Sequence, residues 1–429
     1  MKKTLFALAV FAIVGCVTTK HASVAAPETA KTTPRADGDR DSLILSLLHR
    51  YPQYFDSLLQ QPGKWNIQVI YTQIDRKANN EPVFTDHVFG SSPAPYFYPA
   101  STVKMPVAFL ALQRLHELNL PGLDLNSGFM TSTAAPGQTA VYNDPTTPDG
   151  RPTIAQYIRK IFLTSDNDAF NRLYEFLGQE YINNTLHRMG YDSAQVLHRL
   201  NVFLNEEGNR NTNPVAFYDT SAHLLYRQPG VRSSLVYQQR HTFFGQGYYS
   251  GGKLVNEPFD FSHKNRLPLA DLHSILKSVL FPEAVPARRR FRLAADDYRF
   301  LYRYMSMRPG DSRFPPYDSS YNGAYSKLLL YGGKGDLDPG VRIFNKEGDA
   351  YGFLTDVAYI IDERNGVEFM VSASISCNSD GIYNDDHYDF ETIGLPFLKH
   401  LGLVLYEYER SRPRKNVPDL SKFKLNDGP

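Results

Sequence analysis

The stretch from Tyr98 to Phe109 limits this chain more than any other. An aromatic, proline-containing approach, Tyr98-Pro99-Ala100, gives way through Ser101-Thr102-Val103-Lys104-Met105-Pro106 to the apolar helical pattern that continues in Val107-Ala108-Phe109. The pattern predicts a helix with Ser101 at its start. A serine there has its hydroxyl near backbone N–H groups that lack partners, and a lysine three residues on projects from the same face and can touch it. A serine hydroxyl is a poor nucleophile until a neighbouring base accepts its proton, and an amine with a depressed pKa can accept or relay it. The same S-x-x-K spacing recurs at Ser274-Ile275-Leu276-Lys277, inside an ordinary amphipathic helical pattern to which we assign no chemistry.

Two further motifs follow the first. Leu163-Thr164-Ser165-Asp166-Asn167 places an S-D-N triplet at the start of another helix, and the strand-like run Arg342-Ile343-Phe344-Asn345-Lys346-Glu347-Gly348 ends in K-x-G. In the order S-x-x-K, S-D-N, K-[ST]-G they make up the signature of class A β-lactamases and penicillin-binding proteins, and the chain resembles that family. The resemblance implies an α/β domain plus an all-α subdomain, a β-lactamase/transpeptidase-like fold whose antiparallel sheet is flanked by helices. It also implies roles. Ser101 would be the acylated nucleophile and Lys104 its base or proton relay. Ser165 would pass a proton toward the leaving nitrogen, and Asn167 would hold the substrate amide. Lys346 would meet a substrate carboxylate. The oxyanion hole would combine the Ser101 N–H with one from the strand after Gly348, expected at Ala350. Asp166 is left out of the chemistry. No metal or cofactor is expected.

Two departures stand out. Glu347 occupies the place of the family's Thr or Ser; a carboxylate turned into the cleft would repel an anionic substrate, so either Glu347 points elsewhere or the substrate is not the usual anion. Class A enzymes also carry R-x-E-x-x-L-N in a loop after the S-D-N helix. Here Arg199-Leu200-Asn201-Val202-Phe203-Leu204-Asn205 matches the ends and puts Asn201, a possible deacylation-loop residue, at the glutamate's place. An amide cannot take a proton from water. Glu206 and Glu207 stand nearby in a less convincing register. Ser320-Tyr321-Asn322 offers an alternative S-x-N triplet, set in a polar stretch that favours Ser165-Asp166-Asn167 over it.

The chain opens Met1-Lys2-Lys3, then Leu5 to Val14, an apolar run too short to span a bilayer, and Ile13-Val14-Gly15-Cys16 resembles a bacterial lipobox with Cys16 as the lipidation site. We therefore expect an exported protein of the cell envelope with a signal peptide over 1–15, a flexible tether over 16–40, a hydrolase domain over 41–410 and a tail over 411–429. It would be tied to the membrane, expected to be the outer one, by lipid alone. With only Cys16 and Cys377, no intrachain disulfide is expected. The 46 basic and 45 acidic side chains leave a net charge of +1, which gives no electrostatic case for nucleic acid. Asp385, Asp386 and His387 read as a solvated loop.

Asp41 to Gln60 has helical spacing with Asp41 as its cap, Trp65 to Asp75 alternates as a strand, and Glu81 to Phe89 could be its hairpin partner. Thr153 to Leu225 reads as mainly helical, including Ala169–Leu177 and Val215–Tyr226. Phe353–Asp362 and Val367–Ser376 are two strands joined at Arg364-Asn365-Gly366, and a helix over about Phe390–Tyr408 closes the chain. The family pattern does not supply residues 228–292, an insertion that forms either a wall or lid over the cleft or a surface elaboration. The resemblance implies a substrate that is a β-lactam or D-alanyl-peptide-like amide, or an ester, small or derived from peptidoglycan. The alternative is a non-catalytic protein that captures a cell-wall fragment or a partner in the same cleft.

Overall fold

The computed structural model describes residues 42–90 and 94–424. Cys16, the segment around it and the capping role of Asp41 lie outside the described residues. The helix expected over 41–60 is two, α1 (Ser42–Leu48) and α2 (Pro52–Leu59). Pro52 divides them, because the residue before a proline is pushed out of the helical region, and Tyr51 accordingly sits at φ −128°, ψ 60°. β1 (Gln68–Arg76) and β2 (Pro82–Phe89) pair antiparallel from Val69 opposite Phe89 to Arg76 opposite Pro82. A 3-10 turn, Ala100–Val103, leads into α3 (Lys104–Leu118), followed by β3 (Gly128–Thr131), α4 (Ile154–Thr164), α5 (Asn167–Arg188) and the short α6 (Glu206–Arg210).

Val215–Tyr226 is not a helix. It forms a hairpin, β4 (Val215–Tyr218) and β5 (Leu224–Gln228), with β3 on its other side. Val215 and Phe217 are buried while Ala216 and Tyr218 are half-buried, a period of two imposed by pairing with β3. The Asp219 carboxylate accepts from the Ser221 and His223 N–H groups at 2.8 Å each and closes the turn. Four short strands follow, β6 (Phe243–Phe244), β7 (Gly247–Ser250), β8 (Lys253–Val255) and β9 (Phe259–Asp260). Next come α7 (Leu269–Leu280), α8 (Ala295–Ser306), β10 (Val341–Ala350), β11 (Phe353–Asp362), β12 (Val367–Ser376), β13 (Ile382–Tyr383) and α9 (Leu395–Ser411). A π-turn over Phe390–Gly394 precedes α9.

The main sheet runs β10-β11-β12-β1-β2 and is antiparallel throughout. Its central strands β11 and β12 are buried over nearly their whole length, because both faces are covered. On one face α1, α2 and α9 pack through Leu47, Phe55, Phe397 and Leu401 against Val69, Ile343 and Phe369. On the other lie α7 and the helical part, with Leu272, Ile275, Phe109 and Phe162. Residues after Ser411, read from sequence as a tail, return to this second core, where Leu420 and Phe423 are buried. Helix α3 is buried on nearly every side. The 3-10 turn before it, with Ser101, lies against β10 and β11, and the helix itself lies against α4 and α5.

Candidate active site

Ser101 lies in the 3-10 turn before α3 and is partly exposed to a cleft of about 1090 Å³. Tyr98, Ser165, Asn167, Asn201, Ala350 and Tyr351 line the same cleft. Ala100, one residue before the serine, has φ 46°, a strained conformation for a residue with a side chain. Lys104 is fully buried and directs its Nζ at the S-D-N segment. It donates to the Ser165 carbonyl and, at 2.7 Å, to Asn167 Oδ1, with Ser165 Oγ at 3.3 Å. Ser101 Oγ makes no hydrogen bond to Lys104. Burial, and then the neighbouring charge of Lys346, hold the Lys104 amine well below the usual lysine range. The Ser165 carbonyl, Asn167 Oδ1 and Ser165 Oγ thus fix the amine, and Ser101 lies one helical turn before it.

Local geometry presents Ser165. It is the left-handed C-cap of α4, at φ 59°, and Asp166 is the N-cap of α5, accepting from the Ala169 N–H at 2.8 Å. The Asp166 carboxylate thereby caps α5, while its backbone N–H bonds the Lys160 carbonyl of α4. Lys346, fully buried in β10, donates to Ser165 Oγ at 2.8 Å, to the Glu347 carbonyl at 3.0 Å and to Glu347 Oε1 at 2.8 Å. Gly348 fits under the serine turn, where a Cβ would stand 2.8 Å from the Ser101 nitrogen and 2.9 Å from that of Thr102. No side chain fits there.

The expected oxyanion donor moves by one residue. Tyr351 (φ 53°) and Gly352 (φ 74°) form a two-residue hairpin loop with both φ positive, and Ala350 pairs with Phe353 across it. Such a loop closes on a hydrogen-bonded pair, so the Ala350 N–H is committed to β11. By the alternation of the ladder the Asp349 N–H points off the free edge of β10. Ala350 lines the cleft without supplying the donor; the edge N–H beside Gly348 belongs to Asp349.

The loop from Leu197 to Asn205 is pinned at successive residues. Asn265 Oδ1 accepts from the Leu197 and His198 N–H groups. Arg199 Nε donates to Glu175 at 3.0 Å, and Asn171 bonds both the N–H and the carbonyl of Leu200 at 2.9 Å. Asn201 then projects into the open cleft at φ 53°. Glu206, from the register that the sequence disfavours, lines the cleft as well, paired with Arg210 at 2.9 Å. Glu207 instead pairs with Arg232 at 2.7 Å. Tyr237, Asp260, His263 and Lys264, all within 228–292, form part of the cleft wall, whereas α7 from the same stretch covers the sheet.

The other candidates lie elsewhere. Ser274 Oγ accepts from Arg289 at 3.4 Å, and Lys277 stands over the Phe84 ring. Ser320 Oγ donates to Asp318 in an exposed turn, and His387 is exposed beside Asp385. Among the described residues there is no cluster that could hold a metal ion and no helix long and apolar enough to cross a membrane.

A buried amine stands among a serine turn, an S-D-N corner and a lysine-bearing edge strand on a β-lactamase/transpeptidase-like fold. Residues 53–228 match the model of the beta-lactamase enzyme family, a segment that contains Ser101, Lys104, Ser165, Asn167 and Asn201 but not Lys346. The match covers less than half of the chain, and over that segment the chain is similar to the beta-lactamase enzyme family. Among solved structures, a beta lactamase from Xanthomonas campestris pv. campestris is similar at 14% identity over 85% of this chain and 98% of that one, with a TM-score of 0.45. One from Burkholderia phymatum is similar at 14% identity over 85% and 98%, with a TM-score of 0.46. PBP-A is similar at 15% identity over 84% and 95%, with a TM-score of 0.44. No curated protein matches the chain.

Proposed function

We propose that the protein hydrolyses an amide or ester, of β-lactam or D-alanyl-peptide-like form, through an acyl-enzyme on Ser101. The observation that carries this reading is the placement of Lys104, buried, depressed in basicity and held by the Ser165 carbonyl and Asn167, one turn from a serine that faces the cleft. Ser101 Oγ would attack the substrate carbonyl carbon while its proton passes to Lys104 Nζ. The N–H groups of Ser101 and Asp349 would receive the charge that develops on the carbonyl oxygen. As the tetrahedral intermediate collapses, the proton would leave through Ser165 Oγ to the departing nitrogen or oxygen. Water would then cleave the ester and return the proton to Ser101. The missing Ser101–Lys104 hydrogen bond is the one feature that favours the alternative, a non-catalytic binder; apo sites often tighten only around substrate. Hydrolysis of a neutral thioester separates the two. The wild type turns it over and Ser101→Ala does not; equal rates contradict the proposal.

Export and lipid anchoring through Cys16 belong to the same proposal and rest on the sequence. A fatty-acid probe supplied to a bacterial host should label the wild type and miss Cys16→Ser, and equal labelling would contradict the anchor.

A further inference from the structure

Lys346 has nothing left to offer an incoming carboxylate. An ammonium has three N–H donors, and Ser165 Oγ, the Glu347 carbonyl and Glu347 Oε1 take all three at 2.8, 3.0 and 2.8 Å. Glu347 sets a negative charge against it in the same contact. The Lys346–Glu347 ion pair is buried, with side-chain exposures of 0% and 9%, so solvent screens it little. Breaking it to recruit an anion would leave a buried carboxylate without its partner. Glu347 stays ionised despite its burial, because Lys346 pairs with it directly. Two residues along the edge strand, on the same face by alternation, Asp349 faces the cleft and makes no salt bridge among the described residues.

We propose that Glu347 sets substrate specificity by occupying Lys346, so that the group flanking the scissile bond is an uncharged carboxamide or ester and not a free carboxylate. The proposal rests on the acyl-enzyme reading for the position of the scissile bond, while the preference itself is a matter of binding. A carboxylate placed beside Glu347 and Asp349 meets two like charges, whereas a carboxamide can donate to either.

The test compares two N-acylated D-dipeptides of one sequence, one ending in a carboxylate and the other in a carboxamide, titrated calorimetrically into Ser101→Ala protein. The carboxamide should bind about tenfold or more tightly, the ratio expected for a like-charge clash of one to two kcal/mol. Glu347→Gln keeps an acceptor for Lys346 but removes the negative charge, and should narrow the ratio. Glu347→Thr also frees a donor and should reverse it. Equal affinities in the wild-type background, binding of neither peptide, or preference for the carboxylate overturns the proposal, whether or not the Glu347 variants fold. If Ser101 cannot be acylated in wild-type protein while Ser101→Ala still prefers the carboxamide, the acyl-enzyme reading falls and this one stands.

Discussion

Gly348 and Lys104 show how little freedom the site allows. A Cβ at Gly348 would press on two backbone nitrogens of the serine turn, neither of which can move aside as a side chain tip would. Gly348→Ala should therefore cost roughly 1–3 kcal/mol by overpacking and slow acylation of Ser101 by displacing its N–H. Chemical denaturation and labelling rates check both, and a variant of wild-type stability and rate contradicts the close approach. Lys104→Ala removes the proton acceptor and should reduce acylation by about 10²–10⁴-fold for charged and uncharged substrates alike. A loss confined to one substrate type would mean that Lys104 only recognises charge. At this scale Ser101, Lys104, Ser165, Asn167 and Lys346 were legible because each sits in a short motif whose spacing is fixed by helix or strand geometry. The choice of Asp349 over Ala350 was not, since it turns on the parity of a hairpin ladder that depends on where Tyr351-Gly352 turns. The direction of the Glu347 side chain was equally hidden, because what decides it is a contact with the neighbouring Lys346.

The loop before Asn201 is held as much by polar contacts as by packing, and this gives it a pH dependence. His198 Nδ1 lies 2.7 Å from the Arg199 carbonyl, and its Nε2 accepts from the Asn265 N–H at 3.2 Å, so the ring is the neutral Nδ1–H tautomer. Burial pushes its pKa down to about 4 from an ordinary value of 6.5. The unfolded chain takes up the proton near 6.5 and the folded chain only near 4. Stability from this group is thus lost as pH falls through 6.5, and the loss levels off below 4. Between pH 7 and 5 it should amount to roughly 1–2 kcal/mol. Urea denaturation at the two pH values should show His198→Gln losing that much less than the wild type; identical losses would place the acid sensitivity elsewhere. The elements themselves were legible where the pattern is long and local, as in Phe353–Asp362 and Val367–Ser376, whose observed bounds are those expected. Val215–Tyr226 was not, because its strand character comes from β3, more than eighty residues earlier in the chain.

At the scale of the whole molecule, the serine turn, the S-D-N corner, the pinned loop and the edge strand converge on one cleft although the chain brings them from separate elements. The family signature conveyed that convergence; composition did not. The cleft also holds an amide, Asn201, at the place of the expected carboxylate, and Glu206 there is tied to Arg210. Release of the acyl group should therefore lose the roughly 10²–10⁴-fold that a general base contributes to the step it serves, and the acyl-enzyme should accumulate. A burst of one equivalent of product from a chromogenic neutral ester, then a slow steady rate that Asn201→Glu raises, would bear this out. Sustained fast turnover would assign the base to Glu206 or another group. The central claim, that Ser101 carries the acyl group, is tested most directly by peptide mass mapping after reaction with an uncharged fluorophosphonate. The account predicts one adduct per chain, on the peptide that contains Ser101 and Lys104, absent from Ser101→Ala and slowed in Lys104→Ala. An adduct on Ser274 or Ser320, or undiminished labelling of Ser101→Ala, would contradict it.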